Sequence, residues 1–264
     1  MTLPEPIILG DMRLGPPVFL APMAGITDLA FRRAVARHGG AGLMVSEMVA
    51  STEMVTPNPS VRASTRAAVR AKALTEGASP VSVQIAGREA GAMAETARIV
   101  ADMGARAIDI NMGCPARKVT GGLSGAALMR DLDHALGLVE AVVGAVPDLP
   151  VTLKMRLGWD DGCLNAPQLA ARASAAGVRM LTVHGRTRAQ FYTGRADWAA
   201  IRAVANLPGR PPLVANGDVV DAASARAALA QSGADAVMVG RGAQGAPWRP
   251  AQIAHALWGT PAPV

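Results

Sequence analysis

The chain has 264 residues, of which half are hydrophobic but only 3% are aromatic, and its net charge is +6. This composition indicates an aliphatic core, and the length is compatible with one large α/β barrel domain. Arg, Asp, Gly or Pro interrupts every long apolar stretch before the roughly 18 residues that a membrane span needs, so we expect no membrane segment. The first residues lack a basic segment followed by an apolar block, so we expect no signal peptide.

The basic residues are almost all arginine, because lysine occurs only at positions 72, 118 and 154. An arginine-rich surface is typical of proteins that bind phosphate or nucleic acid, but a GC-rich genome produces the same composition without that function. Composition alone leaves both explanations open. The two cysteines, Cys114 and Cys163, do not indicate a disulfide framework and favour a reducing cytoplasm.

Short apolar runs predict eight β-strands, at residues 18–21, 43–46, 81–85, 107–111, 151–155, 180–184, 213–215 and 236–240. Each run is followed by enough chain for a helix; residues 90–103, for example, carry apolar side chains at three- and four-residue steps and end at Gly104. Eight βα units predict a TIM (β/α)8 barrel, with residues 1–264 as a single domain, and a doubly wound open sheet is the alternative. Residues 49–78 are rich in Thr, Ser and Pro and predict an extra loop over the barrel mouth.

In a barrel of this kind, functional side chains lie at the carboxyl ends of the strands. Polar or glycine-rich sequence follows the predicted strands at Pro22-Met23-Ala24, Ser46-Glu47-Met48, Gln84, Asn111 with Cys114, Lys154 with Arg156, His184-Gly185-Arg186, Asn216-Gly217-Asp218 and Gly240-Arg241-Gly242. Because a buried ammonium group needs a partner, we expect Lys154 to point into the mouth.

The fourth predicted strand leads directly to a cysteine. Its alternating pattern puts Asp109 and Asn111 on one face, and Gly113 and Pro115 then interrupt the strand around Cys114. A cysteine is often only a small buried hydrophobe. At the end of a strand, with polar and cationic residues next to it, a chemical role for the thiol is favoured.

The last two strand ends predict a phosphate site. Glycine-rich turns after the seventh and eighth strands of a barrel often bind phosphate, and Arg241 lies in the second of these turns. With Gln84 and Lys154 at the same mouth, they predict a phosphorylated cofactor. FMN is the candidate, because a lysine near the flavin stabilises the charge of the reduced ring. His184 is either a hydrogen-bonded structural residue or a catalytic or ligand-contacting one, and the arginines that follow favour the second interpretation. No metal site is predicted, since neither cysteine has a partner at zinc-ligand spacing.

Several sequence blocks together resemble the tRNA-dihydrouridine synthase family, in its bacterial B-type, nitrogen-regulation-protein-like branch. The blocks are Leu-Ala-Pro-Met-Ala-Gly-Ile-Thr-Asp, Val-Gln-Ile-Ala-Gly, Ile-Asn-Met-Gly-Cys-Pro, Leu-Lys-Met-Arg, Val-His-Gly-Arg-Thr-Arg, Asn-Gly-Asp and Gly-Arg-Gly-Ala-Gln-Gly. The resemblance spans about residues 7 to 255, and the blocks with Cys-Pro and His-Gly-Arg-Thr-Arg are highly specific. It implies an FMN-dependent oxidoreductase that takes hydride from NADPH and reduces specific uridines of tRNA to 5,6-dihydrouridine.

The resemblance also implies roles for individual residues. Asn111, Lys154, Arg156 and Arg186 would bind the substrate, and Cys114 would protonate C5 of the uracil while FMNH⁻ delivers hydride to C6. The residues implied to contact FMN are Pro22, Met23, Ala24, Gln84, Lys154, His184, Asn216, Gly217, Asp218, Gly240 and Arg241. Hydride addition at C6 builds negative charge on C5 and the C4 oxygen, so a proton donor and cationic groups suit this chemistry.

Members of this family usually continue into a C-terminal helical domain that binds tRNA, and we expect no such domain here. Affinity for tRNA would then come from the arginine-rich surface or from another protein. We expect a monomeric, cytoplasmic enzyme without a membrane partner. Two alternatives stay open: an FMN-dependent reductase of a free pyrimidine or small enone, and a non-catalytic RNA-binding flavoprotein.

Overall fold

The computed structural model describes residues 4–73 and 80–264, and in this part of the chain eight parallel strands form a closed barrel. The strands are β1 (Ile7–Leu9), β2 (Met12–Leu14), β3 (Val18–Leu20), β4 (Leu43–Val45), β5 (Val49–Ala50), β6 (Val81–Ala86), β7 (Ile108–Met112), β8 (Val151–Arg156), β9 (Met180–His184), β10 (Leu213–Asn216) and β11 (Ala236–Val239). Strands β3, β4 and β6 to β11 form the barrel, which closes because β11 pairs with β3 and β4 pairs with β6. The predicted TIM barrel is confirmed, and the open doubly wound sheet is wrong.

Helices surround the barrel and follow most of its strands. They are α1 (Leu29–His38), α2 (Ser51–Met54), α3 (Pro59–Ala73), α4 (Ala90–Asp102), α5 (Arg117–Thr120), α6 (Leu132–Ala145), α7 (Ala166–Ala175), α8 (Trp198–Ala205), α9 (Ala222–Ser232) and α10 (Arg249–Trp258). Four of these helices begin where an aspartate side chain accepts a hydrogen bond from a first-turn amide, at Asp28, Asp131, Asp197 and Asp221. Such caps satisfy amides that have no partner within the helix. No helix in the described ranges is long and apolar enough to cross a membrane.

The apolar core has two layers. The larger layer lies between the strands and the helices and is aliphatic, as the composition predicts. The smaller layer lies inside the barrel and includes Phe19 and Met238, against which the β1–β2 hairpin packs Leu9 and Leu14. The interior near the carboxyl ends of the strands is polar instead. Buried polar side chains need hydrogen-bond partners. The upper barrel can therefore hold a polar ligand where its polar side chains are already supported by hydrogen bonds.

Two segments differ from the sequence prediction. The β1–β2 hairpin was not predicted, because each of its strands has only three residues. Residues 49–78 were predicted as a loop, but β5, α2 and α3 occupy residues 49–73, and residues 74–78 lie outside the described ranges. Pro59 is compatible with this helix because it occupies the first helical position, where no amide hydrogen is needed.

Candidate active site

A cavity of about 560 Å³ opens at the carboxyl ends of the barrel strands. The site residues that the sequence predicts and that line it are Pro22, Met23, Ala24, Gln84, Asn111, Cys114, Lys154, Arg156, His184, Asn216, Gly217, Asp218, Gly240 and Arg241. Another cavity, of about 530 Å³, lies near the β1–β2 hairpin and is lined by Pro150 and Arg179 among others. It contains none of the predicted residues. The fold therefore assembles the predicted site at the mouth, while the roles of its members stay predictions.

Cys114 lies on a turn that three other parts of the chain hold in place. The side-chain oxygen of Asn111 accepts hydrogen bonds from the amides of Gly113, at 3.1 Å, and Cys114, at 2.9 Å. Arg156 donates from Nε to the carbonyl oxygen of Gly113 at 2.9 Å, and the amide of Ala126 donates to the carbonyl of Cys114 at 3.0 Å. The thiol is half-buried and free. The turn presents it at the cavity wall in a defined position.

Lys154 extends from β8 into the cavity, as the sequence predicts. Its Nζ donates to Oδ1 of Asn216 at 3.0 Å, and Nδ2 of Asn216 donates to the carbonyl oxygen of Met238 at 2.9 Å. Burial lowers the pKa of Lys154 to about 8; the charge of Arg156 also lowers it, and Asp109 opposes the shift. An ammonium group has three donors, and Asn216 engages one of them. Lys154 can therefore bind a ligand without losing its hydrogen bond to Asn216.

His184 ends β9 and lies against Gly217. A Cβ on Gly217 would lie 3.2 Å from Cε1 of His184, and Gly217 has a φ of 108°, a conformation that favours glycine. Burial, followed by the charges of Lys154 and Arg156, holds the pKa of His184 well below its ordinary value, so the ring is neutral. Its Nδ1 is buried and has no hydrogen-bond partner among the residues described. A buried, unpartnered nitrogen at a cavity wall is suited to a ligand contact.

The loops after β10 and β11 form a wall of backbone atoms. Gly240 and Gly242 flank Arg241 at the start of a single 3-10 turn, where the first amides have no partner within the turn. A Cβ on Gly242 would lie 2.6 Å from the carbonyl oxygen of Val219, so a larger residue would not fit. The guanidinium of Arg241 is exposed above this wall, 3.7 Å from Asp218. Glycine-rich amides beside an arginine fit a phosphate group.

Arg186 does not line the cavity. Its side chain is only 2% exposed, and it forms a two-point ion pair with Asp218, with distances of 3.0 Å from Nη1 to Oδ1 and 2.6 Å from Nη2 to Oδ2. It also donates to the carbonyl oxygens of Thr193 and Gly194. The structure therefore places Arg186 as an anchor between two loops, outside the cavity lining, and its contact with substrate stays a prediction.

Arg156 lines the cavity but also supports the backbone around it. Besides its bond to Gly113, its Nη1 donates to the carbonyl oxygens of Thr187, at 2.7 Å, and Phe191, at 2.8 Å. Burial is the main cause that lowers the pKa of Arg156, to about 10, so the group is charged at neutral pH. Nη2 has no such bond in the described part of the chain. Arg156 thus fixes the Cys114 turn and adds positive charge to the cavity.

Comparison with known proteins identifies the family. Residues 19–264 match the family described as dihydrouridine synthase (Dus). The chain belongs to the dihydrouridine synthase family. Among its relatives, the probable tRNA-dihydrouridine synthase of Rhodobacter capsulatus is 71% identical over 253 residues, which cover 96% of this chain and 75% of that protein.

Further comparisons agree with this membership. The tRNA-dihydrouridine synthase B of Xanthomonas campestris is 46% identical over 249 residues, covering 94% of this chain and 72% of that protein. The chain therefore spans about three quarters of the length of these two relatives. Among solved structures, morphinone reductase in complex with tetrahydroNAD has a TM-score of 0.66 at 16% identity, covering 97% of this chain and 91% of that one. This last likeness concerns the fold alone.

Tyr192, in the loop after β9 of this dihydrouridine synthase, is a wall residue that was not predicted from the sequence. Tyr192 is 45% exposed and lines the cavity, with the guanidinium carbons of Arg241 and Arg156 at 4.7 Å and 5.6 Å from its ring centre. It packs edge-on against Phe191. Two adjacent aromatic residues between arginines are unusual in a chain that is 3% aromatic, and this pattern could have identified the loop.

Proposed function

We propose that this protein reduces uridine to 5,6-dihydrouridine in tRNA, with FMN as its bound cofactor and NADPH as reductant. Its membership of the dihydrouridine synthase family and the names of its relatives in R. capsulatus and X. campestris support this substrate and reaction. One structural observation carries the chemistry. The Cys114 thiol, the Lys154 ammonium and the two glycine-rich loops line a single cavity at the barrel mouth.

The residues present fit FMN. The amides of the turn after β11 and the guanidinium of Arg241 suit its phosphate, and the unpartnered Nδ1 of His184 suits a polar atom of the ligand. Lys154 supplies positive charge where a reduced flavin ring carries negative charge. When bound and reduced by NADPH, FMN supplies the hydride for C6 of the uracil.

Cys114 acts as the general acid. Addition of hydride at C6 leaves an electron pair shared between C5 and the C4 oxygen, so C5 must take up a proton. The Cys114 thiol carries a transferable proton, and its turn is held by Asn111 and Arg156. The thiolate that remains after transfer is stabilised by the positive charges of Lys154 and Arg156, with which Cys114 interacts electrostatically.

Asn111 and Lys154 hold the uracil oxygens. Nδ2 of Asn111 uses one hydrogen on Gln84, and Nζ of Lys154 uses one on Asn216. Their remaining hydrogens can donate to carbonyl oxygens inside the cavity. Donors placed where charge develops stabilise the transition state more than the ground state. The reaction therefore uses groups that the fold has already oriented.

A basic surface next to the cavity is the contact for tRNA. The guanidinium carbons of Arg130 and Arg188 lie 4.9 Å and 4.7 Å from the ring centre of Trp159, and Nε of Arg188 is buried with no hydrogen-bond partner among the residues described. Arg117 and Lys118 are exposed on α5. We call Arg117, Lys118, Arg130 and Arg188, together with Trp159, the basic rim. Because they follow β7, β8 and β9, they can bind phosphates of the strand that presents the uridine.

The protein acts as a monomer in the cytoplasm, the compartment of its tRNA substrate. Its exposed large apolar side chains are separated along the fold: Ile8 lies on β1, Leu123 follows α5 and Trp248 precedes α10. Scattered apolar residues are normal on a monomer. Size-exclusion chromatography with light scattering tests this assignment, and a concentration-independent dimer mass would contradict it.

Reconstitution tests the proposed activity. Purified protein is incubated with FMN, NADPH and unmodified tRNA transcripts, and the RNA is digested and measured by mass spectrometry. We expect a uridine that has gained two hydrogen atoms at a defined position. Free uridine and uracil are assayed in parallel. Reduction of the free pyrimidines without turnover of tRNA would support the small-substrate reductase instead, and tRNA binding without any reduction would support a non-catalytic flavoprotein.

A further inference from the structure

Four buried side chains form a continuous chain of hydrogen bonds from β8 to the Cys114 turn. Thr152 donates to Oδ1 of Asp109 at 2.6 Å, and Nε2 of Gln84 donates to Oδ2 of Asp109 at 2.7 Å. Nδ2 of Asn111 donates to Oε1 of Gln84 at 2.7 Å, and Oδ1 of Asn111 accepts from the amide of Cys114. None of the four is more than 7% exposed. We call Thr152, Asp109, Gln84 and Asn111 the relay.

Both ends of the relay set its direction. The amides of Gly113 and Cys114 can only donate, so Asn111 must turn its oxygen toward them and its NH2 group toward Gln84. At the other end, both oxygens of Asp109 accept hydrogen bonds, as in a carboxylate; burial raises the pKa of Asp109, and these bonds and the charge of Lys154 oppose that shift. Gln84 satisfies the two neighbours in one orientation only. Reversing a single amide would place two donors or two acceptors against each other, which is costly in a buried site.

This direction decides what Asn111 presents to a ligand. Its oxygen accepts two hydrogen bonds from the turn, which use both lone pairs, and one hydrogen of its NH2 group is used on Gln84. What remains at the cavity wall is a single N–H donor. A donor at that point binds a carbonyl oxygen and is repelled by an amino group. Uracil and cytosine differ in this way at C4, where uracil has an oxygen and cytosine has an amino group.

We propose that Asp109 is a positioning residue that, through Gln84, holds the NH2 group of Asn111 at the cavity wall and thereby selects uracil over cytosine. The proposal rests on the proposed function, because it assumes that Asn111 meets the C4 oxygen of a uridine. Asp109 also interacts electrostatically with Lys154. A role as counter-charge for Lys154 and a role in setting the relay make different predictions. The first depends on the charge of Asp109, and the second depends on its ability to accept from Gln84.

The first experiment separates these two roles with near-isosteric variants. In Asp109→Asn the new amide can still accept from Gln84, because its NH2 group can donate to the hydroxyl of Thr152. In Thr152→Val the carboxylate of Asp109 still accepts from Gln84. In the double variant no orientation of the new amide satisfies both sides. With its oxygen toward Gln84, its NH2 group is buried without an acceptor at position 152, and with its NH2 group toward Gln84 two donors oppose each other.

The measurements are the kcat for tRNA uridine reduction and the rate at which iodoacetamide alkylates Cys114, in a Cys163→Ala background that leaves one thiol. We expect the kcat of the double variant to be lower by about tenfold or more than the product of the two single effects predicts, with the KM for NADPH unchanged. The alkylation rate should show the same non-additive change, because it reports the geometry of the turn. If Asp109→Asn already gives the full loss and Thr152→Val adds nothing, the charge acts alone and the proposal is overturned.

The second experiment reverses the relay. Asn111→Asp alone puts Gln84 between two carboxylates, so the melting temperature should fall. Adding Asp109→Asn allows both bonds of Gln84 to reverse while the oxygen at position 109 still accepts from Thr152. The new carboxylate at position 111 still accepts from the amides of Gly113 and Cys114. The doubly changed protein should melt at a higher temperature than Asn111→Asp. Its cavity wall now presents an acceptor, so the base preference should change with it.

Competition between tRNA transcripts with uridine or cytidine at the modified position measures that preference. We expect the wild-type protein to bind the uridine transcript more tightly and the reversed relay to shift the ratio toward cytidine by about tenfold or more. A reversed variant that is no more stable than Asn111→Asp, or that keeps the wild-type preference, would overturn the proposal. Melting and alkylation use no RNA, so they still decide the relay if the wild-type protein does not reduce tRNA. If the wild-type protein reduces tRNA but the effects of the two substitutions are additive, the relay is overturned and the proposed function is not.

Discussion

Arg186 and Asp218 connect two loops of the barrel mouth through a two-point ion pair between residues 32 positions apart in the chain. The Arg186 side chain is 2% exposed and that of Asp218 is 29% exposed. Asp218 also accepts from the amide of Ala196 at 2.7 Å and lies 3.7 Å from Arg241. The pair therefore couples the loop after β9 to the wall that we assign to FMN.

Asp218→Asn should destabilise the protein and weaken FMN binding. Arg186 would stay buried without its counter-charge, at a cost of about 2 kcal/mol, below the range for fully buried pairs because Asp218 is partly exposed. Urea denaturation of the apoprotein and fluorescence titration with FMN measure the two effects. Asp161→Asn, at an exposed acid in the loop after β8, is the control. An unchanged free energy of unfolding would contradict the assigned role.

The same pair should stabilise the protein in a pH-dependent way. Partial burial raises the pKa of Asp218, but hydrogen bonds and charge from Arg186 outweigh it and hold the pKa below its ordinary value of 3.8. Because the pKa is lower in the folded state, this stabilisation is present above the ordinary value and is lost as the pH falls through the lowered one. The difference in unfolding free energy between wild type and Asp218→Asn should therefore shrink in acid.

Cys114→Ala should abolish most uridine reduction while leaving FMN binding and flavin reduction by NADPH nearly intact. Loss of a positioned general acid lowers the rate by roughly 10²- to 10⁴-fold. Stopped-flow measurement of flavin reduction and mass spectrometry of the RNA separate the two half-reactions. Cys163→Ala is the matched control, since this thiol is also half-buried but does not line the cavity. Uridine reduction at the wild-type rate in Cys114→Ala would show that another group donates the proton.

FMN affinity should fall as the pH rises through about 8. Burial lowers the pKa of Lys154 to about 8, so the apoprotein carries the ammonium below this pH and loses it above. Lys154→Met should bind FMN more weakly at pH 7 and should lack this pH dependence. Dissociation constants measured by flavin fluorescence between about pH 6.5 and 9.5 test this. The range stays below the reference pKa of tyrosine, so ionisation of tyrosine does not interfere. The same alkaline weakening in Lys154→Met would assign the titration to another group.

Removing charge from the basic rim should weaken tRNA binding without changing chemistry at the flavin. Arg130→Ala with Arg188→Ala should raise the Kd for tRNA and reduce the slope of log Kd against log salt by about one unit per lost phosphate contact. Oxidation of NADPH by the FMN-loaded protein without RNA should not change. Arg179→Ala is the charge-matched control, because Arg179 is exposed at the opposite end of the barrel. An equal loss of tRNA affinity in the control would show that the basic rim is not the specific RNA contact.

The sequence predicts all eight barrel strands to within two residues at each end, and β9 with identical bounds. Parallel strands buried on both faces are nearly continuous apolar runs, so each run is visible without its neighbours. The β1–β2 hairpin is different. Its three-residue strands carry too short a pattern, and their apolar side chains are buried only because Phe19 and Met238 provide the surface for them. The helices α2 and α3 were taken for a loop because Thr, Ser and Pro dominate that composition.

The sequence by itself determined the fold class, the mouth of the barrel and the identity of most residues that line its cavity. Only the tertiary structure decided which contacts those residues make there. Arg186 and Arg241 both follow barrel strands, yet Asp218 holds the first in a buried pair and leaves the second exposed at the cavity. Likewise, the amide of Cys114 fixes the oxygen of Asn111, and Gln84, which donates to Asp109, accepts from its NH2 group. Apolar burial is recorded in local patterns, whereas charge neutralisation and hydrogen-bond direction depend on which distant residues meet in space.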